Sequence, residues 1–263
     1  MPASPSDRAP SVVFLDLGDT LIRADPSWSA VYRRVLGEHG VGVDAEQLRS
    51  ALAQTFSNNG DHMEGPFEAS ESASYERLKR FDTQVLEVLG ADLPPDPFFR
   101  SLEAAFAERA AWWIFEDVPG ALQVMQGAGL RLAIISNWGW SGVELLHTLE
   151  LAAHFEAVVI SDRVGFLKPS PGIFRHALEL MGVGPAEAIH VGDSVKADVV
   201  GARSVGIRPV LIERGSRGEG GEAAGMAHEP SIQPDAAGVP RIGDLWDLVD
   251  LLGLGRAEDA HPA

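Results

Sequence analysis

The sequence predicts an α/β protein whose mainly parallel sheet is covered by helices on both faces, with a separate helical domain inserted after the first strand. Short apolar segments alternate with amphipathic ones from Pro119 to Ile212, which is typical of parallel strands joined by helices. Between about Asp25 and Phe115 the apolar residues instead follow helical spacing, with almost no strand signal. These patterns predict a Rossmann-like three-layer core and a helical insertion, for which a chain of 263 residues is long enough.

The first strand and the insertion come first along the chain. The apolar run Val12-Val13-Phe14-Leu15 predicts a buried strand that ends at Asp16. Four groups of apolar residues then recur at helical spacing, and breakers such as Gly40-Val41-Gly42 and Pro94-Pro95 fall between them. The four predicted helices contain Trp28-Val31-Val35, Leu48-Leu52-Phe56, Tyr75-Leu78-Phe81-Val85-Leu89 and Phe98-Leu102-Ala105-Phe106.

The rest of the chain supplies the other elements of the core. Residues 1–24 and 116–254 are predicted to form this discontinuous core, and residues 25–115 the insertion. Residues 214–238 are rich in Gly, Ala, Glu and Pro and predict a flexible surface loop, and residues 255–263 form a polar tail. The predicted elements are helix Pro119–Ala128, strand Leu130–Ile135, helix Ser141–Glu150, strand Ala157–Ile160, helix Pro171–Met181, strand Ala188–Val191, helix Val195–Ser204, strand Pro209–Ile212 and a last helix over Ile242–Leu252.

Composition excludes several classes of function. A net charge of −17 argues against a nucleic-acid surface, because phosphate backbones require clustered Lys and Arg. No apolar run approaches the roughly 20 residues of a membrane-spanning helix. The sequence has no cysteine, which excludes disulfides, thiol catalysis and Cys-based zinc sites and fits a cytoplasmic protein.

Polar residues follow the predicted strands at one edge of the sheet. Ligands of open parallel sheets bind at the carboxyl ends of the strands, so these residues are candidate site residues. Chance would not place a carboxylate, a hydroxyl, an ammonium and two more carboxylates at these positions in an otherwise apolar pattern. They are Asp16, Ser136-Asn137, Lys168-Pro169 and Gly192-Asp193-Ser194, with Asp198 a few residues on.

This set suits phosphoryl transfer. A carboxylate such as Asp16 can attack phosphorus, and Mg²⁺ held by oxygen ligands would neutralise the phosphate oxygens. Asp16 and Asp193 supply such oxygens. The Ser136 hydroxyl and the Lys168 ammonium can hold the transferring group, because this chemistry depends mostly on positioning and charge stabilisation. The predicted substrate is a small phosphorylated metabolite.

The same motifs, in this order and spacing, resemble those of the haloacid dehalogenase-like (HAD) hydrolase superfamily over about residues 11–212. The helical insertion resembles the C1-type cap that closes over the active site in that family. The resemblance implies that Asp16 is the nucleophile and that Asp16, the Gly18 carbonyl and Asp193 are the protein's Mg²⁺ ligands. It also implies that Ser136, Asn137 and Lys168 bind the phosphoryl group, with Asp198 and Ser194 in supporting roles.

The chain departs from the family pattern at Gly18. Family phosphatases usually carry an Asp there, which protonates the leaving group and then activates water. Loss of a positioned acid/base typically costs about 10²–10⁴-fold in rate. Asp19 is the candidate substitute if its side chain points inward, although strand alternation argues against this and a role in satisfying turn N–H groups is the alternative.

Two other functions remain open at this stage. A 2-haloacid dehalogenase would use Asp16 to attack carbon and would need no metal. A catalytically weakened HAD-fold binding or regulatory protein would keep the fold and carry Gly18 as the lesion. Outside the motifs, Trp138 could line the substrate entrance or pack in the interior, and His190 is interpreted as a core histidine.

Overall fold

The computed structural model describes residues 9–59, 65–215 and 237–255, and its strands form two sheets. The strands are β1 (Val12–Leu15), β2 (Ile22–Ala24), β3 (Trp112–Ile114), β4 (Arg131–Ser136), β5 (Ala157–Ile160), β6 (Ala188–Gly192), β7 (Arg208–Ile212) and β8 (Arg241–Ile242). Six of them form one sheet in the order β5-β4-β1-β6-β7-β8, with every pair parallel. The other two, β2 and β3, pair with each other in antiparallel fashion. The predicted Rossmann-like α/β class is thereby confirmed.

Helices cover the sheet and build the insertion. They are α1 (Trp28–Glu38), α2 (Ala45–Asn59), α3 (Glu71–Leu89), α4 (Pro95–Ala107), α5 (Val118–Gly127), α6 (Gly142–Thr148), α7 (Ser161–Val164), α8 (Pro171–Met181), α9 (Gly201–Ser204) and α10 (Leu245–Leu251), with a π-helix over Val195–Val200. No helix in the described part of the chain combines the length and apolarity needed to cross a membrane.

Strand β1 lies at the centre of the large sheet and is buried on both faces. Val13 and Leu15 belong to the apolar cluster on one face, and Val12 and Phe14 belong to the cluster on the other. This alternation follows from the period of two along a strand. Leu15 is level with Ile134 of β4 and Val191 of β6, so the three strands end at the same edge of the sheet.

Helices α1–α4 pack around an apolar cluster of their own. Val35, Leu48, Val85 and Phe98, one from each helix, have no exposed surface in this cluster. Ser27 caps the first of these helices, because its side chain accepts a hydrogen bond of 3.1 Å from Ala30 N. The helical spacing that predicted these helices therefore marks the faces that pack together.

The prediction of almost no strand structure between Asp25 and Phe115 is wrong at one place. Strand β3 pairs with β2 in the register Ile22↔Ile114, so a strand joins each end of the insertion to the core. Each strand has only three residues, which is too short for an alternating pattern to show in the sequence. The predicted last helix also begins late: Ile242 lies in β8, and Asp244 caps α10 by accepting a bond of 2.9 Å from Asp247 N.

Helix α3 also contacts the core through buried polar groups. Ser74 Oγ donates a 2.5 Å hydrogen bond to Asp162 Oδ2 of α7 and accepts one of 3.0 Å from Trp140 N. Arg77 lies 3.1 Å from the same Asp162 oxygen. The insertion is thus fixed beside the loop that follows β4. Most of the predicted loop 214–238 and of the tail 255–263 lies outside the described residues.

Candidate active site

Asp16 and Lys168 meet at the carboxyl edge of the sheet. Asp16 is the first residue after β1 and is only 6% exposed. Lys168 Nζ donates hydrogen bonds of 2.5 Å to Asp16 Oδ1 and 2.6 Å to Asp198 Oδ1. Three predicted site residues from three separate segments of the chain are therefore joined through one buried ammonium group.

Asp193 joins this group at the end of β6. One carboxylate oxygen each from Asp16, Asp193 and Asp198 lies within 4.8 Å of the others. Asp193 is the most exposed of the three. Oxygen donors this close together can hold a hard divalent cation.

The charges in this group shift the pKa values in opposite directions. Burial alone would lower the pKa of the Lys168 ammonium, but Asp16 and Asp198 outweigh it, so that pKa is raised. Burial would raise the pKa of Asp198, but Lys168 and His190 hold it well below the usual range. For Asp193, burial and then the charges of Asp16 and Asp198 raise the pKa well above its ordinary value. Three carboxylates thus share one ammonium, and the repulsion that this leaves is what disfavours the ionised form of Asp193.

Asp198 is fixed by groups other than Lys168. Its Oδ1 lies 2.8 Å from His190 Nε2, and its Oδ2 accepts a 3.0 Å hydrogen bond from Ser194 N. A Cβ atom at Gly192 would lie 2.2 Å from the Asp198 carboxyl carbon, so only glycine fits there. Ser194 also caps the π-helix that carries Asp198, accepting from Ala197 N at 3.1 Å. Both carboxylate oxygens of Asp198 are thus engaged by neighbouring groups, and Oδ1 also accepts the bond from Lys168.

His190 lies against Asp198, a contact that the sequence interpretation missed. His190 has no exposed surface, as expected for a core histidine, but its Nδ1 has no hydrogen-bond partner among the described residues. Position in the strand gave the only available signal, because residues 190 and 192 share the face of β6 that Asp198 covers. That signal is indistinguishable from ordinary core packing.

Ser136 is the last residue of β4, and Asn137 follows it directly. Ser136 is 2% exposed. Asn137 Nδ2 donates to Lys168 O at 2.9 Å, and Asn137 Oδ1 accepts from Lys168 N at 2.7 Å. The side chain of Asn137 therefore holds the main chain of Lys168 in place.

Gly18 and Asp19 form the turn after the nucleophile candidate. Gly18 makes an isolated β-bridge with Ile22, and Asp19 N donates to Ile22 O at 2.7 Å. Asp19 adopts a left-handed φ of 51°, which Asp tolerates better than most residues. Its Oδ1 accepts a 2.5 Å bond from Arg23 Nε, so its carboxylate belongs to an ion pair with that guanidinium.

Comparison with known proteins identifies the group to which this chain belongs. It is 33% identical over 264 aligned residues to a phosphoserine phosphatase of Thermus thermophilus, covering 90% of this chain and 97% of that protein. It is 30% identical to a glyceraldehyde 3-phosphate phosphatase of Pyrococcus abyssi, covering 78% and 82%. The solved structure of a dehalogenase in an intermediate complex shares the fold, with a TM-score of 0.66 at 20% identity, over 94% of this chain and 99% of that one. The model of haloacid dehalogenase-like hydrolases matches residues 10–206, and the chain belongs to this family of hydrolases.

Proposed function

We propose that this chain is a Mg²⁺-dependent phosphatase that hydrolyses a small phosphate monoester through a phosphoaspartate at Asp16. The observation that carries the proposal is the position of Asp16, buried at a strand end, 2.5 Å from Lys168 Nζ and close to Asp193. The names of the phosphoserine and glyceraldehyde 3-phosphate phosphatases support a small phosphorylated metabolite as substrate. The cysteine-free sequence supports a cytoplasmic location.

Asp16, Asp193 and the backbone carbonyl of Gly18 would hold the Mg²⁺ ion. The donor set fits a hard cation because it consists of oxygens, and because three carboxylates face a single ammonium. When bound, Mg²⁺ supplies positive charge that neutralises the phosphate oxygens.

Lys168 and Ser136 would bind the transferring phosphoryl group. The Lys168 ammonium is held charged by two carboxylates, so it can also stabilise negative charge on phosphate oxygens. The buried Ser136 hydroxyl has a hydrogen to donate at the end of β4. Asn137 would act as a positioning residue for Lys168 through its two main-chain bonds, and Asp198 would act on Lys168 through its side chain.

The reaction has two displacements. In the first, an Asp16 carboxylate oxygen attacks phosphorus, and the bond to the leaving oxygen breaks with its electron pair. In the second, water attacks the same phosphorus, gives up a proton to solvent, and releases phosphate with the Asp16 carboxylate restored. Helices α1–α4 would close over this edge as a cap, which the contacts of Ser74 with the core support.

Replacing the nucleophile tests this proposal. Asp16→Asn should lower turnover of p-nitrophenyl phosphate by more than about 10⁴-fold, because an amide is a poor nucleophile and the steps depend on one another. Asp92→Asn is the matched control, since Asp92 lies exposed on the insertion. Circular dichroism and thermal unfolding establish that both variants are folded.

Two outcomes would contradict the proposal. One is full phosphatase activity in folded Asp16→Asn. The other is hydrolysis of a 2-haloacid that persists in EDTA, without Mg²⁺-dependent activity on any phosphate ester, which would assign Asp16 to attack on carbon.

A further inference from the structure

The glycine beside the nucleophile leaves room for an indole ring. A Cβ atom at Gly18 would lie 3.3 Å from Trp138 Cζ3, closer than such contacts normally are. On the other side of the same indole, a Cβ at Gly142 would lie 3.0 Å from Trp138 Cδ1. Neither glycine has a positive φ, so backbone conformation does not demand glycine at these positions. Trp138 is the neighbour that both positions accommodate.

Other contacts keep the indole where it is. The ring centroid of Trp138 lies 5.3 Å from that of Trp112 and 5.9 Å from that of Trp28. The main chain is fixed as well, because Ser161 Oγ accepts from Trp138 N and donates to Trp138 O, both at 3.0 Å. Trp138 therefore has little freedom to make space for a carboxyl group at position 18.

Asp19 does not fill the same role. Its carboxylate is bound at 2.5 Å to Arg23 Nε, and both side chains are nearly buried, with exposed fractions of 8% and 10%. The Asp19 carboxylate is therefore oriented by Arg23, and its backbone is fixed by the left-handed turn in which it lies.

We propose that the Gly18–Trp138 pair restricts this enzyme to phosphoryl compounds whose leaving oxygen departs as a stable anion without protonation, with phosphate esters of phenols as the representative class. This inference rests on the proposed function. The phosphorus–oxygen bond breaks, its electron pair stays on the phenolate, and the phenolate takes its proton from water after release. A phenol has a pKa of about 10, whereas an oxygen like that of water has one of about 15.7, so only the former leaves readily as an anion.

The test on the unaltered enzyme is a leaving-group series. The second-order constant kcat/KM is measured for phenyl phosphates whose phenols span several units of pKa, and for an alkyl phosphate of similar size. Because residue 18 has no carboxyl group to protonate the leaving oxygen, log kcat/KM should fall steeply as the leaving-group pKa rises. The alkyl ester should react about 10²–10⁴-fold more slowly than phenyl phosphate. The inference would be overturned if log kcat/KM did not depend on leaving-group pKa, or if kcat/KM for the alkyl ester were within tenfold of that for phenyl phosphate.

A pair of variants tests the cause of the steep series. Gly18→Asp combined with Trp138→Ala makes room for an acid. In this double variant log kcat/KM should depend less steeply on leaving-group pKa than it does in the wild type. Gly18→Asn combined with Trp138→Ala is the matched control, which has the same space but no acid and should remain steep. Equal slopes in the two double variants would overturn the role of position 18.

The outcomes separate this inference from the function on which it rests. One outcome is that Asp16→Asn loses all activity while log kcat/KM of the wild type does not depend on leaving-group pKa. This result would support the phosphatase assignment and contradict the restriction to phosphate esters of phenols. Retained activity in Asp16→Asn would remove the phosphatase assignment itself.

Discussion

Two buried carboxyl groups, one at the sheet edge and one inside the helical insertion, meet opposite electrostatic environments. Asp198 is 1% exposed and bonds to the Lys168 ammonium, and its pKa is held below the usual range. Asp82 of α3 is 4% exposed and accepts a 2.6 Å hydrogen bond from Tyr32 Oη. Burial, the largest effect, raises the pKa of Asp82 to about 7, and the bond from Tyr32 offsets it only in part.

The difference shows that burial alone does not decide whether an acid is ionised. A hydroxyl donates one hydrogen bond, whereas an ammonium adds a full opposite charge in surroundings of low dielectric constant. At the sheet edge the ammonium therefore keeps Asp198 ionised, while the insertion contains an acid that is half protonated near neutral pH.

The largest effect on stability and activity should come from removing the Lys168 ammonium group. Lys168→Met leaves Asp16 and Asp198 buried without their cation, which should lower the free energy of unfolding at pH 7 by about 3–5 kcal/mol. The same change should lower kcat by more than about 10²-fold, because it removes the charge that is proposed to stabilise the phosphate oxygens. Urea unfolding and phosphatase assays measure the two effects.

Lys79→Met is the matched control for this variant. The Lys79 ion pairs with Glu76 and Asp96 lie at the surface, so stability and activity should change little. An unchanged stability of Lys168→Met would mean that the buried charges at the sheet edge are compensated by something other than Lys168.

The second test concerns the insertion and depends on pH. The pKa of Asp82 rises from 3.8 to about 7 on folding, so the folded state binds more protons than the unfolded state between these values. The stabilising contribution of the protonated form is complete below about pH 4 and is lost as the pH rises to 7, a loss of about 4 kcal/mol. Asp82→Asn cannot ionise and should be more stable than the wild type above pH 7, with little difference at pH 4.

Urea unfolding of both proteins from pH 4 to pH 8 measures this effect. Subtracting the free energies of unfolding of the two proteins at each pH removes the contribution of the titratable groups that both proteins share. A difference that does not change with pH would contradict the raised pKa of Asp82.

The smallest effect on stability should come from removing the Tyr32 hydroxyl group. Tyr32→Phe removes the hydrogen bond to Asp82, which should lower the free energy of unfolding by about 1.5–3 kcal/mol at pH 8, where the acid is charged, and by about 1 kcal/mol at pH 5. Because that bond lowers the pKa of Asp82, its loss should also move the pH-dependent step upward. Equal losses at both pH values would show that Asp82 does not change its protonation between them.

The strand ends could be predicted from the sequence because each follows a run of apolar residues. Asp16, Ser136 and Asp193 come after such runs, and the parallel arrangement brings the ends together. Strands β2 and β3 could not be predicted, since three residues carry no measurable period. The fit between Gly18 and Trp138 was equally hidden, because the two residues are 120 positions apart and only the folded chain brings them into contact.

The buried acid of the insertion escaped the sequence analysis for another reason. Asp82 occurs in a helix with many charged residues, where an acid normally faces solvent. Only the packing of α3 against α1 shows that it meets Tyr32. The sequence pattern thus predicts which helices exist better than it predicts which polar side chain each one buries.

The central position of β1 determines when the protein can become active during its synthesis. This strand leaves the ribosome first, but both of its neighbours, β4 and β6, are made much later. Asp16 and its ammonium partner are 152 residues apart. An incomplete nascent chain thus carries Asp16 without the groups that surround it in the folded protein, and this edge of the sheet forms only when most of the polypeptide has been made and has folded.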